Sequence, residues 1–256
     1  MRANGTRRRL ANGEAALGLF VSSASGLAAE VVGGLGFDWA LVDLQHGENN
    51  LGNLSQMLQA VSCTAATPFV RVASHDSMVI QRALDLGAYG IVVPLVNSRA
   101  EAEAVVRAAK YPPRGERSWG PIRGSLYGGS DYFQQADAET MVVAMLETRE
   151  AVEGAADILA TPGLDGCLVG MNDLSLSYGG GPEGSTGEAL PEALEAALAT
   201  VLAACRETGK VPGIQLYNAA AAQHRIAQGF RFIGLGTELR LLRGAALGLL
   251  GELGRG

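Results

Sequence analysis

The chain has 256 residues, 48% of them hydrophobic, with 20 Lys and Arg against 26 Asp and Glu for a net charge of −6. That length and apolar content suit one (β/α)8 barrel, a single domain over residues 1–256, and argue against disorder. The mildly acidic balance excludes an extended nucleic-acid-binding surface. Three widely spaced cysteines, Cys63, Cys167 and Cys205, fit neither a disulfide framework nor a metal-binding pair, which points to a reducing cytoplasm.

Near the N-terminus, Arg7-Arg8-Arg9 reads as a solvated charge cluster, and the apolar stretch 17–21 after it is too short for a signal sequence or a membrane span. Short apolar runs then alternate with helical patterns along the whole chain. The predicted strands are 16–21, 39–44, 69–72, 90–94, 141–146, 166–169, 213–216 and 232–235. They are apolar throughout rather than alternating, as in strands buried on both faces. The predicted helices are 27–35, 51–61, 79–86, 98–110, 150–159, 191–208, 219–227 and 238–253. Asp76 or Ser77 caps the third and Gly87 stops it; Glu101 in the first turn and Pro112-Pro113 beyond the end frame the fourth. Strict alternation of eight strands and eight helices favours a closed parallel barrel, an α/β fold, over an open sheet. Residues 111–140 form a long irregular connection of the kind used for lids and binding loops. Lying on the helix-to-strand side, it must travel to reach the catalytic face or serve a neighbouring subunit.

Chemistry is placed at the carboxyl ends of parallel strands. The second strand ends in Asp43 and His46, the third in Arg71 and the fifth in Glu147; the sixth runs into Gly170-Met171-Asn172-Asp173. Each residue alone has a plain structural role as a surface pair, a cap or a hydrogen-bonded histidine. Five such groups on one rim point to a catalytic site. Glu147 and Asp173 are hard oxygen ligands suited to Mg²⁺ or Mn²⁺, with shell positions left for water and substrate. Arg71 offers a fixed cation to an enolate or carboxylate oxygen. His46 suits proton transfer near neutral pH, with Asp43 placed to orient its ring. Amides around Asn172 and Asp173, entering a short helix, make an anion cradle. His75 falls at the rim of the site, and His224 on an outer helix surface. The glycine-rich stretches 127–132 and 179–181 lack the strand–loop–helix pattern of phosphate loops and read as plain loops.

The ordered set Leu17-Gly18-Leu19-Phe20, Val42-Asp43-Leu44-Gln45-His46-Gly47, Phe69-Val70-Arg71, Leu84-Asp85-Leu86-Gly87-Ala88, Val93-Pro94-Leu95-Val96, Tyr111-Pro112-Pro113-Arg114-Gly115, Glu147-Thr148-Arg149-Glu150, Asp173-Leu174-Ser175 and Gly229-Phe230-Arg231-Phe232 resembles the HpcH/HpaI aldolases nearly end to end. The resemblance implies a modified (β/α)8 TIM barrel whose last helix is exchanged between subunits of a hexamer. It implies a class II carbon–carbon lyase that reversibly cleaves a 4-hydroxy-2-oxo acid to pyruvate and an aldehyde. A divalent metal (Mg²⁺, Mn²⁺ or Co²⁺) would sit on Glu147 and Asp173, Arg71 on the keto or enolate oxygen, and Asp43 with His46 would form the acid–base pair. Two positions depart from the family pattern: Met145 replaces a frequent Gln, and Met171 a frequent Pro. The alternative readings are a lyase acting on a CoA thioester of the malyl-CoA or citryl-CoA type, with Arg114, Arg117 and Arg123 as the nearest thing to a phosphate site, and a non-catalytic binding barrel.

Overall fold

Continuous apolar runs close here into a barrel. The computed structural model describes residues 1–181 and 190–255. The strands are β1 (Ala16–Val21), β2 (Trp39–Asp43), β3 (Thr67–Arg71), β4 (Gly90–Val93), β5 (Met141–Leu146), β6 (Gly166–Val169), β7 (Val211–Gln215) and β8 (Phe232–Thr237). Each is parallel to the next, and β8 closes on β1. The sequence reading misses no strand end by more than two residues, as at β8, where 235 becomes 237.

The barrel interior is a plug of large side chains, among them Phe20, Trp39, Leu41, Phe69, Met145, Leu168 and Phe232. Trp39 stacks on Phe232 with ring centroids 4.4 Å apart. A Cβ at Gly18 would run into the Trp39 indole, and one at Gly90 into the Phe69 ring, so these strand glycines make room for the plug. A second core lies between the strands and the surrounding helices. There Cys167 on β6 faces Cys205 with sulfurs 3.6 Å apart and no disulfide.

Around the barrel run α1 (Gly5–Ala11), α2 (Gly26–Gly34), α3 (Leu54–Ser62), α4 (Ser77–Asp85), α5 (Arg99–Ala109), α6 (Ile122–Gly128), α7 (Tyr132–Glu139), α8 (Arg149–Glu153), α9 (Ala155–Leu159), α10 (Met171–Ser177), α11 (Glu192–Thr208), α12 (Ala219–Gln228) and α13 (Glu238–Glu252). Asp76 caps α4, accepting from the Met78 amide. Ser98 and Glu101 form a reciprocal capping box on α5. His224 is exposed on α12.

Three expectations change, and the last helix stands open. The arginine cluster lies in a helix, α1, capped by Asn4: Arg8 and Arg9 are exposed, but Arg7 is paired to Asp165 at 2.6 Å and Leu10 is buried against the amino end of the barrel plug. The predicted helix 150–159 breaks into α8 and α9 at Gly154, a residue with little intrinsic helix preference. Residues 111–140 carry two helices, α6 and α7, and stay at the amino end. Arg117 anchors them, reaching Asp85 at 2.8 Å and the Tyr132 hydroxyl at 3.0 Å, and Lys110 donates to the Asp137 and Thr140 carbonyls. Finally, α13 carries leucines on several faces yet has no buried residue in the isolated chain.

Candidate active site

The site begins with sheet register. Asp43 on β2 and Arg71 on β3 are direct partners across the ladder, at the carboxyl ends of their strands. Their side chains meet in a buried bidentate pair, Arg71 Nε to Asp43 Oδ1 at 2.9 Å and Nη2 to Oδ2 at 2.7 Å. Oδ1 also accepts the Gln45 and His46 backbone amides, at 3.0 and 3.3 Å. Burial works to raise the Asp43 carboxyl, but the Arg71 hydrogen bonds and charge, aided by those two amides, hold it below the usual value. The Phe20 ring lies 5.0 Å from the guanidinium carbon.

The expected contact between Asp43 and the His46 ring is not made. Asp43 binds the backbone of His46, and the imidazole lines the cavity with no hydrogen-bond partner among the described residues. The Asp43 carboxylate is instead taken up by the Arg71 guanidinium and the two backbone amides.

Glu147 follows β5 and is 2% exposed. Its Oε2 accepts the Leu95 amide at 2.9 Å, and among the described residues nothing bonds Oε1. Beneath it, two residues back along the same strand face, Met145 is part of the barrel plug, so the carboxyl rests on an apolar floor. Burial first, and then the charge of Asp173, push its pKa up to about 7, against the lowering effects of the Leu95 amide and Arg71. Gly170, which follows β6 and caps α10, packs directly on this carboxyl. A Cβ there would lie 2.8 Å from Glu147 Cγ and 2.9 Å from Cδ, and nearer still to Oε1. Asp173 stands exposed in the first turn of α10, and Asn172 donates to the Tyr217 hydroxyl at 2.8 Å. Met171, the other departure from the family pattern, is buried in the outer core.

These groups share a cavity of about 340 Å³ at the carboxyl end of the barrel. Asp43, His46, Arg71, Gly170, Asn172 and Asp173 line it, joined by Ser22, Gln215, Tyr217, Thr237 and Leu239. All six candidate residues thus converge, Glu147 lying just behind Gly170. Glu238 ties the start of α13 to the cavity wall by accepting the Ser22 and Ser23 amides. Gln215 and Tyr217 were missed in the sequence, although the polar end of an apolar strand marks them as it marked Asp43. The Leu95 amide has no such mark.

The donor set fits a hard divalent cation. Two carboxylates close enough to repel, one buried and half-satisfied, would both be relieved by a cation between them. Among the described residues no cluster of three or more His, Cys, Asp or Glu forms a closed cage, so water and substrate would complete the shell, as around Mg²⁺.

A closed parallel barrel with a fixed arginine, an imidazole and two carboxyls gathered at its carboxyl rim has the architecture of a barrel enzyme. The model for the HpcH/HpaI aldolase/citrate lyase family matches residues 16–245, and the chain belongs to that family. It is a carbon–carbon lyase. It is 40% identical over 220 residues to a hydroxypyruvate/pyruvate aldolase of Rhizorhabdus wittichii, covering 86% of each chain. It is 35% identical over 256 residues to the 4-hydroxy-2-oxo-heptane-1,7-dioate aldolase of Escherichia coli, covering 98% of this chain and 95% of that one. A crystal structure of an HpcH/HpaI aldolase/citrate lyase family protein from Burkholderia cenocepacia superposes with a TM-score of 0.88 at 30% identity, over 98% of this chain and 99% of that one.

Proposed function

We propose that the protein is a divalent-metal-dependent pyruvate aldolase that reversibly cleaves a 4-hydroxy-2-oxo acid to pyruvate and an aldehyde. The observation that carries this reading is that Asp173 and an arginine held rigidly by Asp43 line one cavity, with the Glu147 carboxyl directly behind its Gly170 wall and within reach of the Asp173 charge. Glu147 and Asp173 hold the cation, with Mg²⁺, Mn²⁺ and Co²⁺ as candidates. When bound, it supplies the Lewis acidity that stabilises negative charge on the 2-oxo acid.

The chain's own residues do the rest. Asp43 occupies Nε and Nη2 of Arg71, which leaves Nη1 to face the keto oxygen as it becomes an enolate. His46, unencumbered, takes the proton from the C4 hydroxyl. The C4–O electrons form the aldehyde carbonyl, the C3–C4 bond breaks, and its electron pair passes to the enolate, which is protonated at C3 to give pyruvate. In the first turn of α10, Asn172 and Asp173 flank the place for the substrate carboxylate. Tyr217 and Leu239 face the acceptor end.

A CoA-thioester reading loses support, because the arginines that might bind phosphates are elsewhere. Arg117 is buried in its pairing with Asp85, Arg123 is bonded to Leu86 and Ser62, and Arg114 lines an amino-end cavity beside Asp137 and Asp165. The unburied leucines of α13 support a homo-oligomer, a hexamer, built by exchanging this helix. Free cysteines agree with a reducing cytoplasm, and among the described residues no helix is long and apolar enough to cross a membrane.

The test is an aldol assay with pyruvate and a panel of aldehydes, with and without EDTA. Activity should vanish on chelation and return with Mg²⁺, Mn²⁺ or Co²⁺. Full turnover by thoroughly demetallated protein would sink the mechanism.

A further inference from the structure

His75 lies on the loop between β3 and α4, half-buried and outside the machinery described above. Leu95 lies just past β4, with φ of 52°, the only non-glycine residue at positive φ among those described. The two are connected through one peptide group. His75 Nε2 is 2.6 Å from the Pro94 carbonyl oxygen, and the N–H of that same peptide, belonging to Leu95, donates to Glu147 Oε2 at 2.9 Å. A carbonyl only accepts, so Nε2 carries the proton. The Pro94–Leu95 peptide plane is therefore gripped at its oxygen by an imidazole and at its nitrogen by the buried carboxylate.

This explains why a leucine holds a conformation that L residues avoid. The residues that follow are also fastened to β5 and its end: the Val96 amide donates to the Met145 carbonyl at 3.2 Å, and the Thr148 hydroxyl to Asn97 Oδ1 at 2.6 Å. Among the described residues no other hydrogen bond holds the peptide between His75 and Glu147. Without the imidazole it is free to rotate out of the left-handed region, and that rotation withdraws the amide from Glu147. A hydrogen bond on the carbonyl also polarises the peptide and strengthens its N–H as a donor.

We infer that His75 is a positioning residue for Glu147, acting through the Pro94–Leu95 peptide to aim the carboxylate at its cation. The inference rests on the reading of Glu147 as a metal ligand. Partners one step behind a ligand govern metal affinity by about 10- to 100-fold.

The experiment measures Mn²⁺ binding to the full chain by the electron paramagnetic resonance of free Mn²⁺, with no substrate present. Wild type is compared with His75→Phe, which keeps a ring but loses the donor, and His75→Gln, whose amide N–H reaches the place of Nε2. Thermal melts are recorded alongside. Expected are Mn²⁺ affinity lowered about tenfold or more in His75→Phe, most of it restored in His75→Gln, and melting temperatures that do not follow that order. Equal affinity in all three proteins would overturn the inference. So would equal loss in both variants, since the donor would then not be the agent. A wild type that binds no Mn²⁺ overturns the inference together with the metal site. If Mn²⁺ binding follows the expected series in a protein without aldol activity, the inference stands and the proposed reaction falls.

Discussion

Gly170→Ala tests the placement of Glu147 with a single methyl group. The backbone there has φ −84° and ψ 94°, which any residue adopts, so the glycine is not needed for conformation. What it supplies is space. An added Cβ would sit 2.8 Å from Glu147 Cγ and 2.9 Å from Cδ, well inside van der Waals contact. Gly170 is part of the short link from β6 into α10, so the carboxyl must yield, shifting by roughly 1 Å away from Gly170 and out of its present alignment with the Leu95 amide. A displacement of that size at a reacting centre costs about a hundredfold in rate. Overpacking alone costs about 1–3 kcal/mol of stability. The assay is kcat/KM for the aldol reaction at saturating Mn²⁺, with Mn²⁺ affinity and a thermal melt on the same preparations. We expect a loss of about two decades in kcat/KM, weaker Mn²⁺ binding, and a protein still folded at 25 °C. Wild-type activity and affinity in folded Gly170→Ala would refute the position assigned to Glu147.

Arg71→Ala should lower kcat by about two to three decades, with Lys restoring only part, because a lysine cannot keep the bidentate grip on Asp43 and also face the enolate. His46→Ala should slow C–C cleavage more than it slows deuterium exchange at the pyruvate methyl group, whereas Arg71→Ala should damage both; equal losses in both reactions for both variants would refute that division. Asp43→Asn leaves Arg71 buried without its counter-charge and should cost about 3–5 kcal/mol at pH 7. Because the folded pKa of Asp43 lies below the unfolded 3.8, the pair's contribution is fully present above about pH 4 and is lost as pH falls through the folded value. The stability gap between wild type and Asp43→Asn in urea should therefore narrow at pH 3. Leu242→Asp with Leu249→Asp, both on exposed α13, should shift sedimentation from oligomer to monomer, and an unchanged oligomer would remove α13 from the assembly.

The eight strands were legible because a strand buried on both faces has to be apolar throughout, and their polar ends exposed Asp43, Arg71, Glu147 and Asp173 to view. Pairings were less legible. Asp43 was matched with His46, its neighbour in sequence, but its partner is Arg71, its neighbour in the sheet, and register is decided by the whole barrel. Leu95 left no trace, since its contribution is a backbone amide that any residue but proline carries. Helix α1 was hidden by three arginines, of which only Arg7 reaches Asp165, while the helix is seated by the burial of Leu10. Helix α13, expected to be exchanged between subunits, has no buried residue within the isolated chain.

That Asp43 and Arg71 are register partners has a bearing on how the barrel assembles. Along a strand, a shift of one residue turns every side chain to the opposite face. A slip of β3 against β2 would swing Arg71 out towards the helices and leave Asp43 charged and alone above the aromatic plug. An unpartnered buried charge costs about 3–5 kcal/mol, a large share of a typical domain's net stability. The apolar residues of β2 and β3 would fit a misaligned pairing far more readily than this carboxylate and guanidinium do. The Asp43–Arg71 pair thus penalises a barrel threaded one residue out of step at β2–β3 far more than the apolar residues around it do.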